Sequence, residues 1–230
     1  MAYIIWILTL FFILSGPLMA KDYPNLLKFS AYDKFGFVYY LDYSVEKKIA
    51  DKSSLIQITT TRYAPGIREK NITTLSKSNA FLSLSQSTQD IPQSQFFQWK
   101  ITMANNAMVT YRDIRSRRLI HQLTPLPPNA YPSQALPYLL NDILETLTPE
   151  KLIYLIMPPS QIVELTPRAI GMETILFNGK AVPCYKVELA LKSHLGYVGS
   201  VINYWLTMDK PHILVKSKSP DITLILDSIR

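Results

Sequence analysis

The chain carries one cysteine, three histidines and seven glycines in 230 residues. A single thiol excludes an intramolecular disulfide, so an oxidising compartment gives this fold no covalent staple. His121, His194 and His212 stand in separate segments without a second ligand at zinc-site spacing, so no metal centre is expected. Scattered glycines leave no Walker or dinucleotide-binding loop, and the G-x-S-x-G elbow is absent. Asp and Glu are thinly spread and fall mostly at turns, so no carboxylate pair is offered for acid–base work. The sequence therefore predicts no catalytic residue, no metal and no cofactor. It reads as a non-enzyme.

Long apolar runs are missing as well. The longest, Tyr3 to Leu14, is interrupted only by Thr9, and it falls short of the about 20 residues that a spanning helix needs. Ser15-Gly16-Pro17 breaks it, and Leu18-Met19-Ala20 offers a small residue for cleavage. That pattern predicts a signal peptide over residues 1–20, cut after Ala20. A single domain over residues 21–230 follows, periplasmic or secreted and not integral to a membrane after cleavage. No charged side chain lies in the removed part, so the net charge of +7 belongs to the mature chain. A chain of this length buries roughly 70% of its unfolded surface in one core.

The densest basic cluster is Arg112, Arg115, Arg117 and Arg118, with Tyr111 as its one close aromatic. Nucleic-acid binding asks for a basic face interleaved with stacking rings, so no nucleic-acid partner is expected. A solvated hairpin is the plain reading, and contact with anionic head groups is the functional one. Asn71-Ile72-Thr73 fits a glycosylation sequon.

What the sequence does contain is alternation. Phe37, Tyr39, Leu41, Tyr43, Val45 and Ile49 recur at even spacing between polar residues, the mark of a strand with one buried face. Leu55–Tyr63, rich in β-branched residues, returns as its hairpin partner. Weaker strands are expected at Ile72–Leu75 and Ala80–Ser85, with a loop over Gln86–Ser94. Phe97–Met103, Met108–Arg112 and Leu119–Leu123 continue the meander. After the Pro-rich "TPLPPNAYPS" the period changes: Leu136, Leu139, Leu140, Ile143, Leu144 and Leu147 form the apolar stripe of a helix. Ser133 is its expected cap, with Pro137 in the first turn. Leu152–Met157 reads as a buried strand, although Thr148-Pro149-Glu150 before it also suits the start of a helical turn. Strands then follow at Ile162–Leu165, Met172–Phe177, Ala181–Leu191, Val198–Met208, Ile213–Lys218 and Ile222–Asp227. Asn178-Gly179 is a two-residue hairpin turn. The predicted fold class is mainly β (α+β): a curved antiparallel sheet or half-barrel with one amphipathic helix packed on it.

Within Ala181–Leu191 the odd positions are apolar and share a face, which leaves Cys184 on the other one beside Lys186. A nucleophilic thiolate needs a base within reach and an electropositive setting. None is offered at that spacing, so Cys184 is expected to be structural. A curved sheet under a helix encloses an apolar cleft, and the large side chains expected to line it are Tyr39, Tyr43, Trp99, Leu140, Leu144 and Trp205. The competing reading is that these side chains simply fill the core.

From residue 130 to 228 the chain resembles a family of secreted bacterial proteins known as a domain of unknown function. The matching positions are Gly179, Val182, Cys184, Val187, Trp205, Asp209, Pro211, Val215 and Lys216. The resemblance implies a half-barrel similar to the periplasmic lipoprotein carriers, which shelter acyl chains between a curved sheet and helices; it brings no catalytic residues. The expected function is non-enzymatic binding or shuttling of an apolar ligand, a lipid or lipoprotein acyl chain. The alternative is an envelope assembly module that pairs with a protein partner through a sheet edge.

Overall fold

The structure, a computed structural model, describes residues 23–50, 53–76, 84–90, 96–103, 106–112, 118–125, 127, 130–146, 152–157, 161–192 and 198–230. The expected signal peptide and its cut, Arg115 and Arg117, Leu147 and the Thr148-Pro149-Glu150 segment lie outside these residues.

Eight strands come first: β1 (Leu26–Asp33), β2 (Gly36–Ala50), β3 (Ser53–Ala64), β4 (Ile67–Ser76), β5 (Leu84–Asp90), β6 (Phe96–Met103), β7 (Asn106–Arg112) and β8 (Leu119–Pro125). A short β9 (Ala130–Pro132) leads through a 3-10 turn (Ser133–Ala135) into helix α1 (Leu136–Thr146). The chain ends with β10 (Ile153–Met157), β11 (Gln161–Phe177), β12 (Lys180–Lys192), β13 (Val198–Thr207), β14 (Leu214–Lys218) and β15 (Thr223–Ile229). All belong to one sheet, ordered β8-β7-β6-β5-β4-β3-β2-β1-β15-β14-β13-β12-β11-β10-β9. Two meanders are thus joined where the first strand meets the last. Eleven of these strands curve into a nearly closed, barrel-like form with a seam.

Strand β1 escapes the sequence reading, yet it makes that join. Leu27, Phe29 and Ala31 face inward on it, each at most 2% exposed, and it pairs antiparallel with both β2 and β15. A second difference is the continuity of β11, expected as two strands. Pro167 lies beyond Leu165, where β11's pairing with β10 ends, so no ladder bond is lost on that side. A register shift between Ala169 and Gly171 then absorbs one residue without breaking the strand. The loop expected over Gln86–Ser94 is strand β5 as far as Asp90. β9 and β10 pair in parallel, the one departure from the antiparallel plan among the described residues. α1 is the crossover that a parallel pair requires.

Ser133 does not cap the helix. It lies inside the 3-10 turn that precedes the first α-helical residue, and that turn is capped by Pro132, with φ −58° and no side-chain bond. One orphan N–H of the first helical turn is satisfied from the sheet instead: Tyr138 N–H donates to Tyr43 Oη at 3.2 Å. On the wet side, Asn141 Oδ1 accepts the backbone N–H of His212 at 2.7 Å, which ties α1 to the β13–β14 turn. Leu136, Leu139 and Leu140 pack into one cluster with Leu27, Phe29, Ile58, Val187 and Leu206 from the inner face of the sheet. The 3-10 turn rests against β3 and β4 of one limb and β10 of the other, so this short segment spans the two sides of the curve.

Candidate functional site

The inner face of β2, β3 and β4 changes character along the strands. Directly paired residues share a face, so the register gives successive rows. Val45, Ile58 and Thr73 form the deepest row, with Ile58 and Thr73 fully buried. Tyr43, Thr60 and Asn71 form the next, all still buried. Leu41, Arg62 and Glu69 form the third and reach partial exposure. The gradient runs from apolar to polar to charged within three rows.

The charged row is held together tightly. Arg62 and Glu69 form an ion pair at 2.6 Å, with side chains 36% and 20% exposed. Asn71 Nδ2 donates to Glu69 Oε1 at 3.3 Å, and the Arg62 guanidinium lies 5.5 Å from the Tyr39 ring centroid. Burial pushes the Tyr39 phenol up, opposed by Arg62 and reinforced by Glu69. Three buried polar atoms here lack a hydrogen-bond partner among the described residues: Arg62 Nε, Asn71 Oδ1 and, in the 3-10 turn against β3 and β4, Gln134 Oε1. A buried group of this kind costs about 1–3 kcal/mol while unsatisfied. Arg62 Nε and Asn71 Oδ1 therefore leave one donor and one acceptor unpaired beside an apolar interior. Asn71, at 8% exposure, is also too buried to serve as the glycan acceptor that its sequon suggests.

The residues expected to line one cleft fall into separate places. Tyr43 and Leu140 are fully inside the main core, and Leu144 is half-buried against it. Tyr39 lies further along the same inner face, beneath Arg62. Trp205 is on the outer face of β13, in a small cluster with Cys184 and Val215. Its neighbours Tyr204 and Leu206 face inward, so strand alternation sends Trp205 outward. The side chain of Trp99 lies outside the described residues.

The Trp205 cluster is a structural patch built by register. Trp205 Nε1 donates to Glu173 Oε2 at 2.7 Å, and Lys186 Nζ binds Glu173 Oε1 at 2.6 Å. Lys186 and Lys216 sit over the indole at 5.3 and 4.9 Å from its centroid. The bonds from Lys186 and then Trp205 lower the Glu173 carboxyl from its ordinary value. Cys184 is completely buried beneath this lid, and burial pushes its thiol up to about 11. A thiol so placed is a poor nucleophile.

Among the described residues, no group of three or more His, Cys, Asp or Glu is arranged to hold a metal ion. No helix there is long and apolar enough to cross a membrane. The sequence carried a signal for half of the polar row: in "LIQITTTRY", Thr60 and Arg62 fall on the face of Ile56 and Ile58. Glu69 and Asn71 needed the β3–β4 register, which a single sequence does not supply.

Fold and site together define a β-barrel-like sheet whose inner face turns polar along one limb. No family model and no curated protein matches the chain; the family resemblance over residues 130–228 thus gains no support from these comparisons. Among solved structures it is similar to a candidate lipoprotein from Parabacteroides distasonis ATCC 8503, at 11% identity and a TM-score of 0.37, over 91% of this chain and 96% of that one. It is also similar to a candidate exported protein with YmcC-like fold from Bacteroides fragilis NCTC 9343, at 12% identity and a TM-score of 0.36, over 91% and 97% of the two chains. Likeness at this level carries no functional argument.

Proposed function

We propose that the chain is a non-enzymatic periplasmic or secreted protein that binds an amphiphile, its acyl part directed toward the apolar interior and its head group at Arg62 and Asn71. The observation that supports this reading most is the set of unspent polar atoms at the edge of an apolar inner face. A head group with an anionic oxygen for Arg62 and an O–H or N–H for Asn71 would satisfy both. Tyr39 would cover it from the side. Because Tyr43 and Leu140 already fill the deep interior, only an acyl end that displaces side chains there reaches further.

Titration with a fluorescent fatty acid tests this. The expected outcome is saturable binding that Arg62→Ala weakens by about tenfold, the weight of one charged hydrogen bond. A protein that takes up no fatty acid and also yields no lipid on solvent extraction ends the proposal. The assembly-module reading keeps one supporting feature: β8 and β9 end the sheet order and so offer pairing edges. Crosslinking in cells separates the two, since a single dominant protein partner favours the module. For localisation, N-terminal sequencing of the exported material is expected to start at Lys21, and retention of Met1 would contradict it.

A further inference from the structure

The outer face at the β1–β2 hairpin carries exposed rings that neither the core nor the polar site uses. Phe35, at the tip, is 86% exposed, and behind it lie Tyr32, Phe37, Tyr40 and Tyr63 at 38%, 47%, 54% and 38%. The register makes them continuous across three strands: Tyr32 pairs with Phe37, and Tyr40 with Tyr63. A register shift at Ala31/Tyr32 gives β2 one extra residue, Val38, which sends Phe37 to the outer face with Tyr40. Their ring centroids are 4.5 Å apart, and Tyr32 meets Phe37 edge-on at 6.0 Å.

Cations close both ends of the stripe. Lys34 Nζ lies 4.8 Å from the Phe35 centroid, and Arg68, paired with Tyr63 on the next strand, lies 5.7 Å from its ring. Asp33, in the same turn, accepts the backbone N–H groups of Phe35 and Gly36 at 2.7 and 3.0 Å, and Asp90 on β5 pairs with Arg68. Gly36 adopts φ +130°, which a side chain would resist, so the turn holds Phe35 outward. Further back, Asp42 pairs with Lys28 at 3.7 Å.

Water-exposed rings in one continuous patch mark an interaction surface. A sugar-stacking platform needs open ring faces, whereas here Tyr32 meets Phe37 edge-on, Phe37 and Tyr40 are tilted against each other, and cations cover Phe35 and Tyr63. Tyrosines behind a projecting phenylalanine suit a membrane interface, where amphipathic rings sit at head-group level; Arg68 stands behind them, and Lys34 beside Phe35 is long enough to reach lipid phosphates from the tip. We infer that the β1–β2 hairpin tip, with Tyr63 and Arg68, docks the protein on an anionic lipid bilayer, Phe35 entering the acyl boundary.

Cys184 is fully buried, so Phe35→Cys in the otherwise complete chain places an environment-sensitive label at the tip alone. Leu176→Cys, at a residue 74% exposed, is the control. One paired row runs from Tyr32 through Thr223, Lys218, Asn203 and Glu188 to Arg168. Leu176 lies eight residues further along β11, one of them taken up by the bulge at Ala169/Gly171, so about 23 Å from that row. On phosphatidylcholine vesicles containing phosphatidylglycerol, the label at 35 should blue-shift and the label at 176 should not. The double variant Lys34→Gln/Arg68→Gln should lose vesicle binding by about thirtyfold, with an unchanged melting curve because both side chains are on the surface. The inference is overturned if the label at 35 stays in water, if both labels shift alike, if vesicles without phosphatidylglycerol bind equally well, or if the double variant binds as the parent does.

Discussion

Cys184 shows how far a single residue's role is legible. Alternation along β12 places it opposite the core face, and the sequence offers it no base; both readings agree with its burial under Trp205. What the sequence does not reveal is the lid, because Glu173 meets Trp205 across 32 positions of chain. Cys184→Ser should fold, at a cost of about 1 kcal/mol for placing a hydroxyl in an apolar pocket. The native thiol should react slowly with a thiol reagent at neutral pH, and a burst of labelling would contradict its structural role. Glu173 gives a second expectation. Its folded pKa lies below the ordinary 4.5, so its contribution to stability is present above that value and is lost as pH falls through the folded pKa. Urea midpoints of the parent and Glu173→Gln should therefore differ at neutral pH and converge in acid. A constant gap would remove the ion pair from the account. The magnitude should be small, because the Glu173 side chain is 45% exposed.

At the scale of elements, periodicity located α1, Asn178-Gly179 and most strands, because each is a local pattern. Asn178 and Gly179 both take positive φ, 52° and 73°, as the two-residue turn requires. The sequence reading failed where partners decide the outcome. β1 is short and its weight lies in pairing with β15 at the other end of the chain. The outward turn of Phe37 depends on a bulge, and Ser133 yields its capping role to the tyrosine of another strand. The helix is the element whose packing is easiest to test. Leu140→Ala, at a fully buried position, should cost about 2–5 kcal/mol by urea denaturation. Asn141→Ala should cost about 1–3 kcal/mol through the unpaired His212 N–H. If both are neutral, α1 is not docked as described.

The whole molecule combines a barrel-like sheet, a turn and helix that bridge its limbs, and two surfaces of different chemistry on the same strands. The inner one pairs Arg62 and Glu69 beside unspent polar atoms; the outer one carries the aromatic stripe. The cleft predicted from sequence assumed that large side chains on strands line a single space. The register instead distributes them between core, rim and outer face, and alternation alone could not tell these apart. The central claim is that the rim at Arg62 and Asn71 holds the head group of an amphiphile. Native mass spectrometry of the protein, purified from its own cells without detergent, tests it most directly. The expected result is a population heavier by the mass of a lipid or fatty acid, diminished in Arg62→Ala. A spectrum with the bare chain mass alone, unchanged after incubation with fatty acid, would contradict it.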